Sequence, residues 1–139
     1  MIQQSKQSFP LITYDKLRYA DTDRQGHVNN AIFSTFFETG RVEMIYHPDL
    51  ETINTNVTFV LAALHIQFLR EIKWPGIIKI GTAVTKVGNS SIQLHQQLFQ
   101  DDECMAIAES TIVQVDATSR PTAISEKAKE IYSRFVIED

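Results

Sequence analysis

The chain has 139 residues, with 13 Lys+Arg against 17 Asp+Glu for a formal net charge of −4, and 43% hydrophobic against 22% charged residues. That length is one domain on a scale of about 100–200 residues, and five Gly and four Pro are too few for a collagen-like or disordered chain. The acidic balance argues against a sequence-blind nucleic-acid binder, which needs a cationic footprint to displace counterions. Cys104 is the only cysteine, so no intrachain disulfide can form and a reducing, cytoplasmic compartment is expected. MIQQSKQSFP contains no apolar run of the signal-peptide kind. The longest greasy stretch, Val57 to Leu64, is far short of the ~20 residues of a membrane helix, so no membrane insertion is expected.

In chain order, the first signal is a strand from about Phe9 to Tyr19, ending in the polar segment Asp21 to Gly26. Asn29 and Asn30 stand where helix caps are favoured, because an Asn side chain accepts from unpaired backbone N–H groups. A long helical pattern follows to about His47, where Pro48 stops it. Phe33, Phe37, Gly40 and Met44 recur on one helical face and Phe36 widens the stripe, while Asn30, Ser34, Glu38 and Arg41 fall on another. Gly40 is costly inside a helix, so it predicts close approach of a neighbouring backbone. After a loop near residues 49–56 the period changes to two. Leu64, Ile66 and Phe68 alternate with His65 and Gln67, and Trp74-Pro75-Gly76 turns the chain. Strands follow at about Ile77–Val87, through Ile92, Leu94 and Leu98, and at about Cys104–Val115, separated by Gly88-Asn89-Ser90 and Gln100-Asp101-Asp102. Short turns between them mean antiparallel hairpins. Ala128, Ile131, Tyr132 and Phe135 mark a short final helix capped by Ser125. A greasy helix followed by an antiparallel meander must be buried by that sheet, which predicts an α+β fold.

The densest polar cluster, Asp21-Thr22-Asp23-Arg24-Gln25-Gly26-His27-Val28-Asn29-Asn30, lies just before the long helix. A helix N-terminus carries unpaired N–H groups and about half a positive charge. A carboxylate beside it can act as nucleophile or general base, while the N–H groups stabilise an oxyanion growing on a carbonyl. Such a site suits acyl transfer from an ester or thioester to water. The plain alternative is a polar loop that only caps the helix, and spacing does not choose between the two.

Arg18 through Asn30, followed by Phe36-Phe37-Glu38 and Arg41, resembles the signature of hotdog-fold acyl-CoA thioesterases of the 4-hydroxybenzoyl-CoA thioesterase type. His65 through Gly76 looks like that family's second strand, and Gly88-Asn89-Ser90-Ser91 like its next hairpin. The resemblance spans nearly the whole chain. It implies one hotdog domain over residues 1–139, a five-stranded antiparallel sheet wrapped around one long helix. It places the catalytic carboxylate on Asp23, with His27 and Glu38 as further catalytic candidates. The position between Asp23 and His27 that is an amide-bearing Asn in related plant thioesterases is Gln25 here. Glu38 can equally form a helix-surface ion pair with Arg41, and Asp21 is expected to hold the loop through backbone hydrogen bonds. Backbone N–H groups near Val28, Asn29 and Asn30 would polarise the carbonyl. Phe33, Phe36, Phe37 and Leu61 are candidate acyl-pocket walls. For coenzyme A the resemblance implies contacts from the hairpin at Lys86, Ser90 and Ser91, with Arg70 and Lys73 as further cations for its phosphates. CoA is part of the substrate, so no cofactor is expected.

The remaining candidates are weak. Cys104 has no local cation to activate it and reads as a structural thiol in an edge-like strand. His47, His65 and His95 lack metal-pair spacing, so no metal site is expected. Unpaired edges of a wrapped sheet must be covered or paired, and hotdog domains pair them across a dimer, so a homodimer or a dimer-of-dimers tetramer is expected. Two rivals remain: a non-catalytic acyl-CoA binder, and an acyl-thioester hydratase or dehydratase. The hydratase fits poorly, because Asp23 and Asp21 are spaced from His27 as D-x3-H and D-x5-H rather than D-x4-H.

Overall fold

Alternating apolar residues in successive segments build the sheet, and the intervening amphipathic helix covers one of its faces. The computed structural model describes residues 3–50 and 56–137. In chain order come β1 (Leu11–Lys16), α1 (Asn30–Ile45), β2 (Thr58–Phe68), β3 (Ile77–Val87), β4 (Ser91–Gln100), β5 (Glu103–Val115) and α2 (Glu126–Tyr132). The five strands pair antiparallel in the order β1-β3-β4-β5-β2. The expected α+β class and order of elements therefore hold. Most of the loop expected near 49–56, residues 51–55, lies outside the described residues.

Helix α1 crosses the faces of β1, β3 and β4. Its aromatic half buries Phe33, Phe36 and Phe37 against Leu17, Ile78 and Ile80, and its later half buries Met44 against Leu94, Ile112 and Tyr132 of α2. Gly40 makes the approach possible. A Cβ there would stand 2.7 Å from Gln96 Nε2 and Thr82 Oγ1 and 2.8 Å from Ile80 Cγ2. Gln96, a polar residue on the core face, donates to the Phe37 carbonyl at 2.9 Å and to Thr82 Oγ1 at 3.0 Å. Ser125 caps α2 by accepting from Ala128 N at 3.1 Å. Phe135 lies beyond that helix but packs on the same cluster.

Several expectations need correction. Ladder pairing of β1 covers only Leu11–Lys16, not Phe9–Tyr19. Phe9 instead folds over the outer face of the sheet, its ring against Gly81 and stacked on His95 at 5.8 Å, while Tyr19–Asp21 form a tight 3-10 turn. His95 and Gln97 are buried on that outer face. Gln97 takes both backbone groups of Gln4, accepting from its N–H at 2.6 Å and donating to its carbonyl at 2.9 Å. Arg41 is buried rather than on a polar face, with Nη1 unpartnered among the described residues, and burial lowers its pKa. Strand β5, which carries Cys104, is interior. The sheet's edges are β1 and β2.

Candidate active site

The polar segment before α1 folds on two carboxylates with different duties. Asp21 is buried. It accepts from Arg18 N at 3.0 Å and from the Arg18 guanidinium at 2.9 Å, and its carbonyl accepts from Asn29 N at 2.9 Å. The Asp21 hydrogen bond and charge raise the pKa of Arg18. This is the structural role expected of Asp21. Asp23 is exposed. Its Oδ1 accepts from Gln25 N at 2.9 Å and His27 N at 3.3 Å, and its own N–H donates to the His27 carbonyl at 2.7 Å. Gly26, at φ +82°, supplies the left-handed step that closes this turn. The second oxygen, Oδ2, has no hydrogen-bond partner among the described residues, so it is the one open to a ligand.

His27 forms an antiparallel bridge with Lys73, and Val28 N donates to the Ile72 carbonyl at 2.8 Å. These contacts bring a segment more than forty positions along the chain against the loop. Between the two lies an open cleft of about 260 Å³, walled by Asp23, Gln25, His27, Val28, Asn30 and Phe33 on one side and Phe68, Leu69, Arg70 and Glu71 on the other. Phe33 and Phe68 meet edge to face at 5.0 Å. His27 Nε2 stands 3.2 Å from Glu71 Oε2.

At the helix terminus Asn29 is the cap, accepting from Ala31 N at 3.0 Å. The expected row of polarising N–H groups shrinks to one. Val28 N and Asn29 N are spent on Ile72 and Asp21, which leaves Asn30 N without an acceptor among the described residues. It sits where the macrodipole concentrates positive charge.

Thus Asp23, His27, Val28, Asn30, Phe33 and Arg70 come together in one cleft, with Arg70 also 3.1 Å from Glu103. Other expected site residues do not join them within one protomer. Phe36 and Phe37 are packed in the core, and Leu61 is exposed on β2. Glu38 is exposed and outside the cleft, and no ion pair with Arg41 forms among the described residues. Lys73 lines the neighbouring depression with Trp74. Lys86, Ser90 and Ser91 sit at the far end of β3 and β4, roughly 30 Å along the strands at ~3.3 Å per residue. Phe68, Leu69 and Glu71 are cleft residues that sequence reasoning missed. Phe68 is signalled by its place in the β2 alternation. Glu71 carries no local signal, because only the tertiary bridge brings it to His27. Burial raises the Cys104 pKa, as befits an inert thiol. Among the described residues no three His, Cys, Asp or Glu side chains are grouped as metal ligands.

A five-stranded antiparallel sheet packed against one long helix defines the fold class. Residues 17–132 match the thioesterase-like superfamily. The chain therefore belongs to that superfamily, on the hotdog fold, and is an enzyme of the thioesterase class. Among relatives, it is 27% identical over 135 residues to the acyl-CoA thioesterase YbgC of Haemophilus influenzae, covering 90% of this chain and 93% of that one. It is 28% identical over 93 residues to the uncharacterized protein YsmA of Bacillus subtilis, covering 67% of this chain and 63%, less than two thirds, of that one. Of solved structures, a thioesterase from Thermus thermophilus complexed with coenzyme A and Zn superposes with a TM-score of 0.78 at 28% identity, covering 89% of this chain and 98% of the other. The PA5185 protein of Pseudomonas aeruginosa superposes at 0.85 with 23% identity and 96% of each chain covered, a likeness of fold.

Proposed function

We propose that this chain hydrolyses acyl-CoA thioesters to the free acid and CoA, with Asp23 as the reacting carboxylate. The observation that carries this reading is the Asp23 side chain. One of its oxygens is pinned by two backbone N–H groups, and the other is open in the cleft at the N-terminus of α1. Asp23 attacks the thioester carbonyl itself, giving a mixed anhydride that water then hydrolyses to the free acid and Asp23, or it takes a proton from a water that attacks the carbonyl directly. Either way the C–S bond breaks and CoA leaves as a thiol. Asn30 N–H, at the positive end of the helix, is the group placed to favour the developing oxyanion. No cofactor takes part, since CoA belongs to the substrate. The acyl-CoA thioesterase likeness supports the substrate class. Placement in the 4-hydroxybenzoyl-CoA thioesterase branch rests on the D-x-D-x-x-G-H-V-N-N string, and a cytoplasmic setting on the buried free Cys104.

We assign the working form to a homodimer or a dimer of dimers. Strand β2 is an eleven-residue edge with Val60, Leu61 and Phe68 exposed, and such an edge pairs readily with a second copy. On this reading Glu38 and the Lys86–Ser91 hairpin, outside their own cleft, serve a neighbouring subunit's cleft. The test of the activity is thiol release from a panel of acyl-CoAs. Wild type should liberate CoA, and Asp23→Asn should lose about 10²–10⁴-fold in kcat while keeping its melting temperature, because the Asn oxygen still accepts from Gln25 and His27. Binding without thiol release would identify the non-catalytic rival, and a changed acyl chain on intact CoA would identify the hydratase.

A further inference from the structure

Glu71 is an ionisable side chain of the cleft to which the proposed hydrolysis gives no role. Glu71 lies between anchored neighbours. Leu69 N and Arg70 N both donate to the Met105 carbonyl, at 2.9 and 3.1 Å, and Ile72 is fully buried with its carbonyl taken by Val28. Lys73 is held at both backbone groups by Gln100, at 3.3 Å through N–H and 2.7 Å through the carbonyl. Alternation around the buried Ile72 sends Glu71 and Lys73 outward together, on the strand segment that bridges His27. The His27 backbone is fixed as well, by its two bonds to Asp23. Two hydrogen-bonded backbone segments therefore place the Glu71 carboxylate beside the imidazole, with Oε2 3.2 Å from Nε2. The charged side chains sharing the cleft with this pair are Asp23 and Arg70, with Arg70 already turned to Glu103.

We propose that Glu71 is a positioning residue for the hydrolysis: its carboxylate fixes the ring of His27 through Nε2, leaving Nδ1 as the acceptor that orients the attacking water beside Asp23. The two ring nitrogens differ in role according to what each one faces. A carboxylate only accepts, so beside Glu71 the Nε2 position carries the proton. Nδ1 has no partner among the described residues and keeps its lone pair. A water held there presents its oxygen to the thioester and its remaining proton to Asp23 Oδ2. Glu71 acts only through His27, which separates it from Asp23 in its expected kinetics. The proposal rests on the acyl-CoA hydrolase reading, and its test is built to fail separately.

The test combines ring ¹⁵N spectra of the full chain with kinetics of E71A, E71Q, H27A and H27A/E71A. In E71Q the Nε2 resonance of His27 should move while those of His47, His65 and His95 stay in place. E71A should lower kcat about 10-fold with KM unchanged, and E71A should cost nothing further in the H27A background. An unmoved His27 resonance in E71Q, an unchanged kcat in E71A, or equal losses in both backgrounds would each overturn the assignment. Absence of thiol release from wild type would instead remove the hydrolase reading, and the spectra would still decide whether Glu71 holds the His27 ring.

Discussion

Asp23 and Asp116 both bind a turn through Oδ1, and place in the fold separates their duties: Asp23 lines the cleft at the foot of α1. Asp116 Oδ1 accepts from Thr118 Oγ1 at 2.6 Å, Thr118 N at 2.8 Å and Arg120 N at 3.2 Å in the turn after β5. Those bonds, the Thr118 hydroxyl foremost, lower the pKa of Asp116. A carboxyl whose native pKa lies below its unfolded value stabilises the fold fully above the ordinary carboxylate range. That contribution is lost as pH falls through the lowered value. Urea unfolding at pH 7 and pH 3 should therefore show a smaller loss of stability on acidification for Asp116→Ala than for wild type. An identical loss in both would show that the turn does not feel this charge.

At the scale of elements, α1 is governed by one glycine. Gly→Ala inside a helix ordinarily gains about 1 kcal/mol in propensity. At Gly40 the new methyl would press on Gln96, Thr82 and Ile80 at 2.7–2.8 Å, and the Gln96 amide is tied to the helix through the Phe37 carbonyl. Overpacking of this kind costs about 1–3 kcal/mol, so Gly40→Ala should lower the unfolding free energy in denaturant titrations despite its better propensity. A stabilised variant would mean that the helix can lift off the sheet without penalty. A tight contact at Gly40 was legible in the sequence, but the expected neighbour was a backbone, and the atoms that crowd the glycine are the side chains of Gln96, Thr82 and Ile80. The burial of Arg41 was not legible. Its place on the helical wheel puts it with polar neighbours, yet in the folded chain it is buried.

The whole molecule carries the remaining expectation. The edge strand β2 and the outlying Glu38 fit a site shared between subunits, which sedimentation and subunit mixing can examine. Asp23→Asn and Glu38→Ala homomers should each be impaired, and co-refolding them should restore part of the thiol release by forming clefts with both native residues. Full activity of Glu38→Ala alone, or a monomer at micromolar concentration, would remove Glu38 from the site.

Period-two and period-3.6 alternation determined the strands, the long helix and their antiparallel order, because side-chain direction is a local property of each backbone type. The loop from Asp21 to Asn30 was likewise readable as a site, since Asp, Gly and Asn at those spacings carry their own turn and cap chemistry. Tertiary structure alone decided that the Val28 N–H is spent on the distant Ile72 carbonyl. It also decided that Phe9 seals the outer face over His95, and that Glu71 comes to His27. These are contacts between segments far apart in the chain, and no local pattern encodes the partner. The net balance of −4 likewise excluded a class of ligands, but only the fold placed two of those carboxylates, Asp23 and Glu71, in one cleft.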